Sequence, residues 1–201
     1  MRCKAMNARE LVLIGCFGAV GAALEISIGT LLHTFRVVPF KGLLMASILV
    51  VLFVASRLFI GRRSAPFLVG AVVAALKMLS PGAGFLTVVA AIIMEGLVVS
   101  VVLAAGSARR PILPILAGIA TALYTIGHKF LINGLIMGSD VVELYLSVLE
   151  DVCVLLGITP SDSLWLIVPL VALHIAVGGI AGFIGWKLGR HLLRVTHHES
   201  P

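Results

Sequence analysis

Long apolar runs, parted by short polar links, organise this chain from end to end. A helix rises 1.5 Å per residue, so a hydrocarbon core of about 30 Å takes roughly 20 apolar residues to cross. Six stretches reach or approach that length: 11–32, 42–60, 65–79, 84–105, 112–137 and 164–188. The third is short and ends at Ser80-Pro81-Gly82, which predicts a tilted helix or one that stops below the far surface. Residues 140–156 differ in character. Asp140 and Glu143 fit a capping box, Gly157 and Pro160 fit a stop, and Glu143, Glu150 and Asp151 oppose burial in lipid. The pattern predicts an all-α integral membrane protein with one transmembrane domain over 1–201. Its six-helix bundle would carry an interfacial helix between spans five and six.

Composition agrees. Sixty per cent of the 201 residues are apolar and 12% are charged, and mean hydropathy is +1.17. A soluble domain carries about a quarter charged residues, because its surface must meet water. An ordinary soluble enzyme, a coiled coil and a disordered tail are therefore excluded. The net charge of +6 has a bilayer explanation rather than a nucleic-acid one, because the cations cluster between apolar runs. Arg2, Lys4 and Arg9, then Arg57, Arg62 and Arg63, then Arg109 and Arg110, then Lys187, Arg190 and Arg194 all fall on one side. The other side has Arg36 and Lys41 with five acids, Asp140, Glu143, Glu150, Asp151 and Asp162. Both termini are expected in the cytoplasm, the 140–156 helix on the outer face, and the protein in the cell (inner) membrane. The first apolar run is too long for a cleaved signal, so the first helix is expected to remain.

Ionisable residues inside a membrane are costly and tend to face a cavity or a partner. Here they are Glu25, Lys77, Glu95, His128, Lys129 and His174, with Asn133 one turn beyond Lys129. All but Glu95 fall in the outer half of their spans, and Glu95 lies near the middle. Thr121, Thr125, Lys129 and Asn133 step by four along one face of span five. Two arrangements account for this set: a buried ion-pair network fixing helix register, or an outward pocket holding a polar ligand. The Ser80-Pro81-Gly82-Ala83-Gly84 break beside Lys77 favours the pocket, because irregular backbone at membrane depth is tolerated where it lines a cavity. Lys77, Lys129 and His128 would favour an anionic or zwitterionic ligand, with Glu25 or Glu95 on its cationic part.

Small residues let helices approach closely in lipid. Span one offers Gly15, Gly18, Ala22 and Gly29, with Ala19 and Ala23 beside them, and span six offers Gly178, Gly182, Gly185 and Gly189. Each stripe fits either internal packing or docking of another membrane protein, and spacing leaves both open.

Several chemistries are missing from the sequence. No Gly-x-x-x-x-Gly-Lys-[Ser/Thr] occurs, so the chain has no P-loop for ATP. No His-Glu-x-x-His, Gly-x-Ser-x-Gly or Cys-x-x-Cys occurs, and Cys3, Cys16 and Cys153 have no ligand-like spacing. The expectation is a protein that is not an enzyme and uses no cofactor and no metal.

With both ends inside and no ATPase motif, the bundle resembles the substrate-binding (S) components of energy-coupling factor (ECF) transporters. The likeness rests on 8–23, including Ala19-Val20-Gly21-Ala22-Ala23, on the Ser80-Pro81-Gly82 break and on Met94-Glu95-Gly96-Leu97. The resemblance implies a membrane subunit that captures a vitamin, precursor or metal ion at the outer face, and for this chain the expectation is a vitamin or small polar or anionic precursor. It implies as partners a transmembrane coupling protein and two cytoplasmic ATPase subunits. An Ala-x-x-x-Ala element on the family's first helix contacts the coupling protein, which carries over to Gly15, Ala19 and Ala23, with Gly18 and Ala22 adjacent. The literal match, Ala19 to Ala23, sits about mid-membrane, and the early histidine of the cobalt and nickel carriers is missing. The alternative expectation is a self-sufficient secondary transporter with a proton relay through Glu95 and His128.

Overall fold

A computed structural model describes residues 6–34, 41–80, 85–137, 153–154, 157 and 167–198. Among these residues the main helices are α1 (Ala8–Thr34), α2 (Lys41–Ile60), α3 (Ala65–Lys77), α4 (Phe85–Ala104), α5 (Ile112–Met137) and α6 (Ile167–His198). Four are long and apolar enough to cross a membrane, over Ala8–Leu32, Lys41–Ile60, Leu86–Ala104 and Ile167–Thr196. Shorter apolar helical stretches are Ala65–Lys77 and Ile112–His128. This is the helical build of a membrane protein. The expected helix at 140–156 lies outside the described residues apart from Cys153 and Val154, and Gly157 after it has the left-handed φ of +66°.

Local chemistry explains where the helices begin. Asn7 precedes α1, and Glu10, three residues on, accepts from the Asn7 backbone N–H at 3.3 Å, one half of a capping box. The same Glu10 carboxylate pairs with Arg62 at 3.2 Å, tying the start of α1 to the α2–α3 link. After α2 the chain turns at Gly61, whose φ of +79° a side chain would resist, and the Arg57 guanidinium donates to the Gly61 carbonyl. Pro66 lies in the first turn of α3, where its missing N–H costs nothing. The next free donor, Phe67 N–H, is capped from α4 by the Ser100 hydroxyl at 2.9 Å.

Successive helices alternate in direction. Glu10 meets Arg62, and the Trp186 indole N–H donates to the Arg109 carbonyl at 3.0 Å. One end of the bundle therefore gathers Arg57, Arg62, Arg63, Arg109, Lys187 and Arg190. Arg190 lies over the Trp186 ring and Lys187 over Phe183, each 5.0 Å from the ring centre. At the hub is α2, which touches all five other helices. Leu49, Val50, Phe53 and Val54 of α2 are fully enclosed and meet Val69 and Val73 of α3 and Val99 and Leu103 of α4 in one core.

Close approaches are made by small residues. Between α3 and α4, a Cβ on Gly96 would stand 2.9 Å from the Pro66 carbonyl oxygen. Between α5 and α6, Gly118 faces Gly178, and Gly182 faces the Pro114 carbonyl. Further along α6, Gly185 opposes the Val51 carbonyl of α2 and Gly189 opposes Leu58. The α6 stripe, open in sequence to two uses, is thus committed to contacts within the chain.

Candidate functional site

Opposite the basic end, α1, α3, α4 and α5 carry polar side chains, of which Glu25 and Glu95 are buried. Glu25 sits on the inner face of α1 and is only 6% exposed. One turn on, Gly29 leaves a gap that two charges share. A Cβ there would stand 3.8 Å from Glu25 Oε1 and 3.9 Å from Lys77 Nζ at the end of α3. Lys77 is thus the cation facing Glu25 across a glycine. Glu95 of α4 is 5% exposed and lies within electrostatic reach of both Glu25 and Tyr124. Each glutamate has one oxygen, Oε2, shut off from solvent and without a hydrogen-bond partner. Such atoms are rare in native structures and call for an explanation.

On α5, Tyr124 and His128 are one helical turn apart and share a 2.6 Å hydrogen bond between the phenol oxygen and Nδ1. His128 Nε2 lies 3.2 Å from the Thr87 backbone carbonyl of α4. A carbonyl only accepts, so Nε2 carries the proton and donates. In the neutral ring Nδ1 is then the acceptor and the Tyr124 hydroxyl donates to it. Both His128 nitrogens are therefore used, and the residue joins α5 to α4.

The remaining residues divide. His174 is buried on α6, and its Nδ1 bonds the Leu170 carbonyl of its own helix at 2.8 Å. Thr121 and Thr125 donate to the Ala117 and Ala122 carbonyls, so half of the expected polar stripe on α5 is spent on its own backbone. Lys129 and Asn133 lie on α5, but their side chains fall outside the described residues. No group of three or more His, Cys, Asp or Glu among the described residues is placed to hold a metal ion. Tyr124 was not singled out from the sequence, although its four-residue spacing to His128 was the available signal.

The small residues of α1 also divide. Gly15, Ala19 and Ala23 are on the outward side: Ala19 and Ala23 are exposed and Gly15 has open space beside it. Gly18 and Ala22 are buried, Gly18 against Val72 of α3, which removes them from any outward contact surface. Compared with family models, curated proteins and solved structures, the chain matches none.

Proposed function

We propose that this chain is the substrate-capture subunit of an ATP-driven ECF-type importer for a vitamin or small polar or anionic precursor. In this reading all six helices span the cell (inner) membrane, both termini are cytoplasmic, and the basic end faces the cytoplasm as the positive-inside rule expects. The observation that carries it is the two enclosed glutamates, Glu25 with Lys77 beside it and Glu95, each with one carboxylate oxygen left unpartnered. Intramembrane charges that do not all pair with one another point to a functional site. Energy comes from elsewhere, because the sequence has no P-loop. A transmembrane coupling protein and two cytoplasmic ATPases supply it, and the outward face of Gly15, Ala19 and Ala23 is the docking surface.

Affinity purification of the tagged chain from its native membranes tests this. The expected result is co-purification of a membrane protein and two ATPases, lost in Ala19→Trp while the variant remains folded. A chain that purifies alone and moves solute into ATP-free vesicles under a proton gradient overturns the proposal. That outcome would favour the second reading, a secondary carrier, whose relay is suggested by Tyr124 and His128 hydrogen-bonded to each other within reach of Glu95.

A further inference from the structure

We infer that the basic end of α6 seats an anionic phospholipid, its phosphate on Lys187, Arg190 and Arg194 and its acyl chains along Ile180 and Ile184. The inference requires that α6 crosses a membrane and does not depend on the capture reading. Two stripes on one helix carry it. Gly182, Gly185 and Gly189 turn one face of α6 onto Pro114, Val51 and Leu58. Lys187, Arg190 and Arg194 repeat that spacing five residues later. In an α-helix this offset is about 140° around the axis. The cations therefore point away from α2 and α5, and each is exposed. Ile184 precedes Lys187 by three residues and Ile180 by seven, so both share the outward face. They are 48% and 59% exposed.

Charge and geometry then select the occupant. Glu10, the described acid at this end, pairs with Arg62, and no acid among the described residues pairs with Lys187, Arg190 or Arg194. Aromatic rings hold two of the cationic heads. Lys187 Nζ lies 5.0 Å from the centre of Phe183 and the Arg190 guanidinium 5.0 Å from that of Trp186, each four residues back along the helix. Both charges are thus drawn toward Ile180 and Ile184 rather than out along the tail. The two rings stack at 5.7 Å, and the Trp186 bond to the Arg109 carbonyl keeps the exposed Arg109 and Arg110 beside the stripe. A guanidinium held over a ring still has N–H donors to give, in the fork that grips phosphate. Inorganic phosphate or a nucleotide would answer the charge but leave the isoleucines uncovered. An acidic protein surface would have to reach cations folded back to the level of the rings, where tryptophan marks the membrane edge. A phospholipid with a negative headgroup joins phosphate to acyl chains at that level, and basic side chains beside a span attract such lipids.

The test uses the full-length chain in mild detergent, with phosphatidylglycerol and phosphatidylcholine of identical acyl chains as probes. Native mass spectrometry counts retained lipid, melting temperature reads stabilisation, and inorganic phosphate is the charge-only probe. The expected result is phosphatidylglycerol retained near one-to-one with melting raised, and neither effect from phosphatidylcholine or phosphate. Lys187→Gln, Arg190→Gln and Arg194→Gln should each weaken retention about fivefold, and the triple variant on the order of 100-fold. These side chains are exposed, so their replacement leaves the glycine face of α6 packed. Arg63→Gln, an exposed cation of the α2–α3 link, should leave retention unchanged. Equal retention of both lipids, or equal stabilisation by inorganic phosphate, overturns the lipid seat. An equal loss in Arg63→Gln overturns it too, because the attraction would then be diffuse. So does full retention in the triple variant, and loss of a co-purifying protein from that variant would assign the stripe to a protein partner instead. Each of these outcomes leaves the capture reading as it stood.

Discussion

The first and last helices carry small residues at similar spacing, yet the fold uses them differently. On α6 each glycine of the stripe is pressed on a neighbouring helix. Gly178 and Gly182 lie on the α5 backbone at Gly118 and Pro114, and Gly185 lies on the α2 backbone at Val51. On α1, Gly18 and Gly21 meet side chains, those of Val72 and Val73, while Gly15 meets nothing within 4 Å. Small-residue spacing says only that close approach is permitted. What faces the glycine decides the cost of losing it, because a side chain can change rotamer and a main chain in a hydrogen-bonded helix cannot.

The largest expected effect is therefore on α6. Gly182→Val would drive a branched side chain into the Pro114 carbonyl, and we expect no monodisperse bundle by size-exclusion chromatography in detergent. A well-folded Gly182→Val protein would mean that α5 and α6 separate freely. Gly18→Ala should be intermediate, costing about 1–3 kcal/mol as overpacking does. Adding Val72→Ala should recover most of that loss, and a double-mutant cycle on unfolding measures the recovery. An additive pair would show that Val72 is not the obstacle. Gly15→Ala should be the smallest change, within about 0.5 kcal/mol of the parent. A larger loss would move Gly15 from the outward face to a packed one.

Each of the six apolar runs holds a helix among the described residues, and most of those boundaries were legible from hydropathy. Predicted 42–60 and 65–79 became Lys41–Ile60 and Ala65–Lys77, and 112–137 was met by Ile112–Met137. The ends of α1 and α6 were read short for one physical reason. Hydropathy reports where lipid is tolerated, whereas a helix continues as long as its hydrogen bonds do. Lys187, Arg190 and Arg194 ended the apolar run, but α6 continues to His198. The start of α1 was hidden in the Asn7–Glu10 cap, which carries no apolar signal.

Within the site, Glu25, Lys77 and Glu95 stood out because a charge in an apolar run is conspicuous. Tyr124 did not, since tyrosine is common in membrane helices and its role appears only when the ring is seen against His128. Ser100 was equally quiet: nothing in its own helix shows that it caps Phe67 of another. The four-step reading of α5 followed the threonines, whose hydroxyls turn back on their own helix, and missed the Tyr124–His128 turn beside them.

The brevity of α3 has an electrical consequence. Thirteen residues cover about 20 Å, roughly 10 Å less than a hydrocarbon core. In the proposed orientation its arginine-flanked end lies at the cytoplasmic surface, so Lys77 stands about 10 Å beneath the outer one. Where water reaches Lys77 from outside, the membrane voltage falls mainly across the protein below it rather than along the approach. A charged ligand captured at that depth would then have crossed little of the field, and its capture would depend weakly on voltage. Nearly the whole of about 2.3 kcal/mol per charge per 100 mV would be released on the inward step that follows.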